Sequence, residues 1–428
     1  MNNIFHVPTI RSSLEKWLYY IESLSHVSID LTLDRMRKIA IDLDLIHPAE
    51  YVILVGGTNG KGTTCCLLET VLLNNKNTVG LYTSPHLLSY HERIRVCGKE
   101  LPDSTHIEAM SVIESARHHI ALTYFEFITL SALYIFKRAK LDVVILEVGL
   151  GGRLDATNIV NPDISVITNI GIDHTDFLGI NRDVIAQEKS GIFRFSKPAV
   201  IGERCLPPIV FKMAQYSGAI LFARGRDWNF RVYGNKWIWW ECFHYHRLLY
   251  DLPLPIIPLE NAATALSVLY WLPFLVDKIA ISYGLQAATL PGRFQIVMRR
   301  PLVILDVGHN PNAAHYLAKR LAVILLKRTG NMRIVIGMLR NKDIQGTISC
   351  LTHLVNTCWY CSDLNVPFSA SAVELSDCLR NYHVQRFSNI LDAWNQAVLD
   401  ASFDDCVLVF GSFHAVSPIM RNIIKKLR

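Results

Sequence analysis

Short apolar runs recur along the chain, and each is followed by a polar or glycine-rich segment. Residues 51–55, 142–146 and 164–168 lack the period-two alternation of a half-exposed strand. Helix-compatible stretches, such as residues 61–73 and 127–138, separate these runs. Because strands buried on both faces read as continuous apolar runs, the pattern predicts an α/β fold with a mainly parallel sheet and helices on both faces. Ligands bind beyond the carboxyl ends of such strands, so the polar segments there are the candidate site.

Between residues 224 and 250 the pattern changes to alternating aromatic side chains around a Gly234-Asn235 turn. This alternation predicts a small antiparallel excursion from the parallel sheet. Nearby arginines leave a base-stacking surface open as an alternative. Alternating aromatics more often line a sheet face against a core, however, and that interpretation is favoured.

A second α/β alternation begins after Pro291-Gly292, which is a strong turn signal. Residues 303–305, 333–338 and 406–410 are its predicted strands, and residues 414–428 suit a closing helix. The pattern therefore predicts a smaller, Rossmann-like α/β domain after a P-loop-type first domain. The C-x-x-C pair formed by Cys358 and Cys361 has no second pair at zinc-site spacing, so we expect it to lie in a packed strand.

Composition narrows the class of protein. Among 428 residues, 50% are hydrophobic and 19% charged, which excludes a disordered or fibrous chain. A net charge of +6 is too dilute over this length to demand a polyanionic partner. No apolar run approaches the ~20 residues that cross a bilayer. Residues 1–10 carry no readable secretory signal, and ten scattered cysteines fit a reducing compartment. We therefore expect a cytoplasmic protein.

The segment after the first apolar run carries the clearest chemical signal. Residues 57–63 (GTNGKGT) offer backbone N–H groups to a phosphate, the Lys61 ammonium to its outer oxygens and the Thr63 hydroxyl to a metal ion. The spacing departs from the strict Walker motif, because Val55 stands at its first glycine and Gly62 separates lysine from threonine. A strand before the loop and a helix after it favour phosphate binding over an ordinary glycine-rich turn.

Two other strand ends offer candidate metal ligands. Glu147 follows the second apolar run and precedes a glycine-rich segment, where a magnesium ligand is the natural use of a carboxylate. A solvated carboxylate that ends a strand is the simpler alternative. His174 follows the third run, but a single histidine is more often a packed or surface residue, and Mg²⁺ prefers oxygen ligands.

A series of short segments follows in order along the chain between residues 57 and 311. They are residues 57–63, 83–87 (TSPHL), 147–158 (EVGLGGRLDATN), 173–174 (DH) with 178–179, 187–192 (QEKSGI), 291–293 (PGR) and 306–311 (DVGHNP). Together they resemble the folate branch of the Mur-type ATP-dependent amide ligases. The Lys-Gly-Thr form of the phosphate loop, which departs from the Walker motif, is also similar to this branch.

The resemblance implies an enzyme that uses ATP to join L-glutamate to dihydropteroate and to reduced folates, through an acyl phosphate. It implies an ATP-binding central domain of residues 1–290, a linker of residues 291–295 and a C-terminal glutamate-ligase domain of residues 296–428. ATP and a pair of Mg²⁺ ions are the implied cofactors. The implied protein is a monomer that binds neither nucleic acid nor a membrane.

The same resemblance implies site residues, by role. The Mg²⁺ ligands would be Ser84, Glu147 and His174. The nucleotide would contact Asn59, Gly60, Lys61, Gly62, Thr63, Asn261, Arg293 and Asp306. Catalysis would involve Lys61, Lys189, His309 and Ser412, with a carbamate on Lys189 and with His309 and Ser412 toward the incoming glutamate. The folate side would comprise Ser28, Ile29, Asp30, Thr123, Tyr124, Phe125, Glu126, Leu154, Asp155 and Ala156.

Some of these assignments have structural alternatives. Thr123 and Glu126 form a T-x-x-E capping box, which would explain both residues without a ligand. An unmodified Lys189 would be a cation on a helix surface, whereas a carbamate would supply an oxygen anion for a hard cation. Asn341 departs from the family pattern, which usually has aspartate there.

Other functions stay open at this point. A peptidoglycan-precursor ligase of the same superfamily is the nearest rival. A regulatory GTPase would also have a phosphate loop, but residues 341–343 (NKD) lack the spacer of its guanine-binding motif. A nucleic-acid-binding module has only the +6 charge and the aromatic stretch in its favour.

Overall fold

The computed structural model describes residues 6–24, 32–242, 248–354 and 356–427. The chain divides into two units. Unit 1 comprises Met1–Ile170 and Asn181–Thr289, and unit 2 comprises Gly171–Ile180 and Leu290–Arg428. The short segment Gly171–Ile180 therefore packs with unit 2, although the chain on both sides of it belongs to unit 1. Within the described ranges, no helix has the length and apolar composition that crossing a membrane requires.

The elements are numbered in chain order. The strands are β1 (Tyr51–Gly56), β2 (Val79–Tyr82), β3 (Ile94–Val96), β4 (Lys99–Glu100), β5 (Val143–Glu147), β6 (Ile164–Ile167), β7 (Pro198–Ile201), β8 (Ile220–Ala223), β9 (Trp228–Tyr233), β10 (Lys236–Glu241), β11 (Leu248–Pro253), β12 (Gln295–Arg299), β13 (Leu302–Leu305), β14 (Met332–Ile336), β15 (Thr357–Ser362), β16 (His383–Phe387) and β17 (Cys406–Phe410). The helices are α1 (Leu14–Leu24), α2 (Asp34–Asp42), α3 (Lys61–Asn74), α4 (Asp103–Arg117), α5 (Tyr124–Ala139), α6 (Thr175–Leu178), α7 (Arg182–Ser190), α8 (Pro208–Ser217), α9 (Leu259–Tyr270), α10 (Lys278–Ala287), α11 (Pro311–Leu325), α12 (Ile344–Ser349), α13 (Ala372–Asp377), α14 (Ile390–Leu399) and α15 (Phe413–Leu427). Two 3-10 helices cover Tyr90–Arg93 and Ala156–Ile159.

The main sheet of unit 1 has the strand order β4-β3-β2-β5-β1-β6-β7-β8. The six strands β2-β5-β1-β6-β7-β8 pair in parallel, whereas β3 pairs antiparallel with both β2 and the edge strand β4. Val55 of β1 pairs with Glu147 of β5 on one side and with Val166 of β6 on the other. The predicted mainly parallel sheet is confirmed, and the polar segments after β1, β5 and β6 start from neighbouring strand ends.

The aromatic stretch forms the three-stranded antiparallel sheet β11-β10-β9 that its alternation predicts. Trp228, Trp237 and Trp239 are fully buried in the hydrophobic core of unit 1. Each indole N–H also has an acceptor, such as the carbonyl of Phe222 for Trp228 at 3.2 Å. These rings are therefore core residues and offer no exposed face for base stacking.

Unit 2 contains a six-stranded sheet of order β12-β13-β17-β14-β15-β16, in which only β12 is antiparallel to its neighbour. Its central strands β13, β14 and β17 are buried along their whole length, and their sequences are apolar except for Arg333 of β14. The predicted smaller Rossmann-like α/β domain is confirmed. Cys358 and Cys361 lie in β15, within this sheet, which agrees with the packed strand expected for them.

The buried carboxylate of Asp405 binds residues at the start of β14 and just before β17. Asp405 precedes β17, and its Oδ2 accepts hydrogen bonds from Arg333 Nε at 2.8 Å and from the Ser402 N–H at 3.0 Å. Its Oδ1 accepts the Asn331 N–H at 2.8 Å. Burial alone would raise the pKa of Asp405, but these donors outweigh it and lower the pKa overall. The charged form of Asp405 therefore stabilises the fold.

Because its pKa is lower when folded, Asp405 stabilises unit 2 fully above the ordinary aspartate pKa of about 3.9, and this contribution is lost as the pH falls through the folded value. We expect Asp405→Asn to lower the free energy of unfolding at neutral pH by about 3 kcal/mol and to flatten its acid dependence. Urea denaturation followed by circular dichroism over a pH series measures both. The exposed neighbour Asp404 gives the control Asp404→Asn. Equal effects of the two substitutions would contradict the assignment.

Candidate functional site

The phosphate loop that follows β1 is held by the end of β6. The N–H of Thr58 donates to the carbonyl of Asn169 at 3.0 Å, and the N–H of Asn59 donates to Asn169 Oδ1 at 2.9 Å. Thr168 Oγ1 donates to the Asn59 carbonyl at 2.7 Å. Thr168 and Asn169 belong to none of the motifs that predicted the site. Their only signal in the sequence is that they are polar residues at the end of the third apolar run.

The loop delivers its backbone N–H groups to the start of α3. Gly57 has φ +139° and Gly60 has φ +82°, which only glycine adopts easily. Lys61 opens the helix, and its Nζ donates back to the Gly57 carbonyl at 3.1 Å. Thr63 Oγ1 donates to the Gly60 carbonyl at 3.0 Å and accepts from Asn261 Nδ2 at 2.6 Å. The structure thus brings the predicted nucleotide residues Asn59 to Thr63 and Asn261 together.

Gly60 is required for two separate reasons. Besides its positive φ, an added Cβ would lie 2.4 Å from Asn261 Oδ1. We therefore expect Gly60→Ala to weaken nucleotide binding by about tenfold or more, because the loop or Asn261 must move. Isothermal titration with ADP measures the loss.

Gly234 provides a matched control, because it also has a positive φ, +58°, but an added Cβ there meets nothing within 4 Å. Gly234→Ala should cost about 1 kcal/mol of stability and leave nucleotide affinity unchanged. Equal nucleotide affinity in the two variants would show that the contact with Asn261 has no effect on binding.

Glu147 ends β5 next to the phosphate loop strand. Its side chain is only 6% exposed, and its Oε2 accepts the N–H of Ser84 at 3.1 Å. Ser84 follows β2, the neighbour of β5 in the sheet. Two of the three predicted metal ligands therefore lie together at one edge of the unit 1 sheet. The solvated carboxylate considered as an alternative for Glu147 does not fit this burial.

Lys189 lies in the last turn of α7 and is only 4% exposed. Its Nζ donates to the Gly57 carbonyl at 3.1 Å, the same oxygen that Lys61 binds. The alternative of a cation on the helix surface is therefore wrong, because tertiary packing buries this face of α7. Both side chains therefore reach the same backbone oxygen of the phosphate loop.

The predicted folate-side segment at the start of α5 is also a helix cap. The Glu126 carboxylate accepts the Thr123 N–H at 2.7 Å, and Thr123 Oγ1 accepts the Glu126 N–H at 3.3 Å, so the capping box is confirmed. Arg35 forms an ion pair with Glu126 at 2.9 Å. Phe125 stacks on Tyr82, with ring centroids 6.0 Å apart, while the guanidinium of Arg93 lies 5.9 Å from the Tyr124 ring centroid.

The second folate-side segment is shaped by Asp155. Its Oδ2 accepts the Leu150 N–H at 2.8 Å, and its Oδ1 accepts the Thr157 N–H at 3.0 Å. Burial raises the pKa of Asp155, although these hydrogen bonds oppose the shift. Leu154 is 37% exposed, whereas Ala156 is buried. Ser28, Ile29 and Asp30, the third predicted folate-side segment, lie outside the described residues.

In unit 2, Asp306 follows β13 and accepts the N–H groups of Phe294 and Gly308, both at 2.8 Å. Burial raises the pKa of Asp306, while the charge of Arg293 opposes this shift. The Arg293 guanidinium lies over the Phe413 ring, 4.9 Å from its centroid. Ser412 is buried just before α15, and its Oγ accepts the His414 N–H at 3.0 Å.

Asp173, for which the sequence suggested no role, is the centre of a polar cluster in unit 2 that includes the predicted site residue His309. It binds Lys342 Nζ at 2.6 Å, Asn310 Nδ2 at 2.9 Å and His309 Nε2 at 3.4 Å. Burial alone would raise the pKa of Asp173, but His309 and Lys342 lower it well below the usual range. Lys342 makes this contact with Asp173 although residue 341 is asparagine, where the family pattern usually has aspartate.

His174 also belongs to unit 2, whereas Ser84 and Glu147 belong to unit 1. Potential ligand atoms of Asp173, His174 and His309 lie within 4.8 Å of one another. A cation bound by all three would have to compete with Lys342 for Asp173, so this cluster is better described as an ion-pair network.

Comparisons with known proteins agree with this geometry. The Mur ligase middle domain matches residues 55–206, and the Mur ligase, glutamate ligase domain, matches residues 292–413. The chain is 49% identical over 420 residues to the dihydrofolate synthase/folylpolyglutamate synthase of Escherichia coli (strain K12), covering 98% of each chain.

Two solved structures are similar over nearly their whole length. The structure of E. coli FolC in complex with DHPP and ADP has a TM-score of 0.94 and 48% identity, covering 99% of this chain and 100% of that one. A bifunctional folylpolyglutamate synthase/dihydrofolate synthase with Mn, AMPPNP and L-glutamate bound has a TM-score of 0.91 and 50% identity, covering 97% and 99%. The chain therefore belongs to the Mur ligase family and, within it, to the dihydrofolate synthase/folylpolyglutamate synthases.

Proposed function

We propose that the chain is an ATP-dependent ligase that joins L-glutamate to dihydropteroate and adds further glutamates to reduced folates. The observation that carries the proposal is the phosphate loop at the start of α3, with positive φ at Gly57 and Gly60 and two lysine amines on one carbonyl. Family membership supplies the substrates, since the relatives bind adenine nucleotides, L-glutamate and DHPP.

Glu147 and Ser84, both in unit 1, fit a hard divalent cation. Glu147 offers a buried carboxylate beside Ser84, and His174 is the third ligand that the family resemblance suggests. Glycine at position 57 keeps the loop close to Thr168, since a Cβ there would lie 1.9 Å from Thr168 Oγ1. When bound, Mg²⁺ would neutralise charge on the transferring phosphate. We propose ATP and Mg²⁺ as cofactors, with a carbamate on Lys189.

The phosphate loop performs the first chemical step by alignment and charge neutralisation. The substrate carboxylate attacks the γ-phosphorus of ATP, which yields an acyl phosphate and ADP. Lys61 and the N–H groups at the start of α3 stabilise the negative charge on the phosphate oxygens. Thr168 and Asn169 hold the loop before ATP binds, so little reorganisation is needed during the step. The amine of glutamate then attacks the acyl carbon and displaces phosphate.

The remaining assignments are proposals that rest on the family resemblance. Arg293 and Asp306 would contact the nucleotide, and His309 and Ser412 the incoming glutamate. The domain division would follow residues 1–290, 291–295 and 296–428. We also propose a monomer that works in the cytoplasm, because all ten cysteines are free thiols, as a reducing compartment keeps them.

The direct test is ADP release by the purified chain on addition of ATP, Mg²⁺, dihydropteroate and L-glutamate. Release that needs both dihydropteroate and glutamate supports the proposal. Replacing dihydropteroate with a reduced folate tests the second activity. A uridine-linked muropeptide is the rival substrate from the same superfamily, and faster ADP release with it would overturn the assignment.

A further inference from the structure

The C-terminal turn of α7 and the loop that carries Asp155 are joined by both side-chain and backbone hydrogen bonds. We define the α7 turn as residues 188–194 and the Asp155 loop as residues 152–160. The α7 turn carries Lys189, which contacts the phosphate loop. The Asp155 loop carries the proposed folate-side residues. Neither the capping of α7 nor the chemistry described above requires these contacts.

Arg194 binds both segments with separate guanidinium nitrogens. Its Nη1 donates to the carbonyls of Ile192 at 3.0 Å and Phe193 at 3.1 Å, within the α7 turn. Its Nη2 donates to Asn158 Oδ1 at 2.7 Å and to the carbonyls of Asn158 and Val160, both at 3.0 Å, within the Asp155 loop. The Arg194 guanidinium thus donates both to carbonyl oxygens just beyond the end of α7 and to oxygens of the Asp155 loop.

Asn158 completes the connection from the other side. Its Nδ2 donates to the carbonyl of Arg153 at 2.9 Å and to that of Gly191 at 3.2 Å, so its amide binds both segments as well. The backbones also touch directly, because the Arg153 N–H donates to the Glu188 carbonyl at 2.8 Å.

Glycines permit this close approach. A Cβ at Gly152 would lie 2.8 Å from the Glu188 carbonyl oxygen, and one at Gly191 would lie 2.4 Å from Arg153 Cβ. The two segments are therefore in backbone contact and cannot shift independently by more than a fraction of an ångström without breaking hydrogen bonds.

We propose that Arg194 and Asn158 are positioning residues that fix the folate-side loop relative to Lys189. This inference rests on the proposed function, because it assumes that the Asp155 loop faces the pteroate or folate substrate. Besides the Lys189 contact, the phosphate loop has its own supports in Thr168 and Asn169, which belong to neither segment. Loosening the Arg194 connection should therefore disturb the folate substrate and leave ATP binding intact.

Arg194→Lys is the sharpest substitution, because lysine keeps the charge but, as a point charge, cannot reach both segments with a planar fork. We expect the KM for dihydropteroate to rise about fivefold or more and kcat to fall about tenfold, while the KM for ATP stays within about twofold. Steady-state ADP release measured against each substrate gives these constants.

Arg117→Lys is the matched control. Arg117 is also half-buried in unit 1, and it binds Glu114, Tyr20 and the Ile120 carbonyl, away from both segments. It should lower stability without separating the two KM values. If Arg194→Lys behaves like Arg117→Lys, or raises the KM for ATP as much as that for dihydropteroate, the positioning role is wrong.

Asn158→Ser provides a second, milder variant in case Arg194→Lys does not fold. Asn158→Ser should give the same selective rise in the KM for dihydropteroate. In the double variant, the rise in this KM should be smaller than the product of the two single rises. Independent, multiplicative effects would overturn the proposal. The wild-type protein distinguishes a failure of the proposed function from a failure of the positioning role. Absence of ADP release with dihydropteroate refutes the proposed function. Normal release, with no selective effect in the variants, refutes only the positioning role.

Discussion

Replacing Glu147 with glutamine is expected to lower ligase turnover by about a hundredfold to a thousandfold. The amide has the size of the carboxylate and can still accept the Ser84 N–H, so the fold should be retained. What is lost is the negative charge at the end of β5, which a hard cation prefers to a neutral amide oxygen. ADP release under saturating ATP, together with the Mg²⁺ dependence of the rate, measures the effect.

Glu241→Gln is the matched control for this substitution. Glu241 is as buried as Glu147 and also lies in a strand of unit 1, but in the small antiparallel sheet. We expect its turnover and its Mg²⁺ dependence to match the wild type. Normal turnover in Glu147→Gln would refute the metal assignment, and equal losses in both variants would point to folding instead.

Removing the Lys189 side chain is expected to lower turnover by about a hundredfold, and small carboxylic acids should restore part of it. A carbamate forms when the neutral amine adds to carbon dioxide and releases a proton, so the group at work would be an oxygen anion. Formate or acetate could occupy the space left in Lys189→Ala and supply that anion. This space is enclosed by the protein, because Lys189 is buried and its Nζ lies beside the Gly57 carbonyl.

A second additive distinguishes a carbamylated Lys189 from an unmodified one. If the residue acts as an ammonium ion, methylamine should restore turnover and carboxylates should not. Lys197→Ala serves as the control, since Lys197 pairs with Asp163 at 2.8 Å at a partly exposed position. Lys197→Ala should turn over normally without either additive. Rescue of Lys189→Ala by methylamine alone would remove the carbamate from the proposed mechanism.

The strands that carry the site are predictable from sequence because each is buried on both faces. The continuous apolar runs at residues 51–55 and 142–146 became β1 and β5 within one residue at either end. Their carboxyl ends lie side by side in the sheet, so Glu147 and the phosphate loop could be placed near each other from sequence alone. The glycines of that loop gave a further local signal, and their positive φ values agree with it.

Contacts between distant residues were not predictable, because they leave no local pattern. Lys189 could be taken for a surface cation on a polar helix until the packing of α7 was known. The ion pair between Arg35 and Glu126 joins residues 91 positions apart, so the capping box explained only part of the environment of Glu126. The role of Arg194 is invisible in sequence for the same reason, since all its acceptors are carbonyl or amide oxygens.

The segment Gly171–Ile180 has a consequence for how the protein is made. Asp173 emerges from the ribosome long before the groups that bind it, because Asn310 lies 137 residues and Lys342 lies 169 residues further along the chain. A nascent chain that has finished unit 1 therefore still carries an unmatched acidic loop. Native structure in this loop should appear only late in translation, and a polypeptide that ends at Thr289 should leave the loop open to proteases.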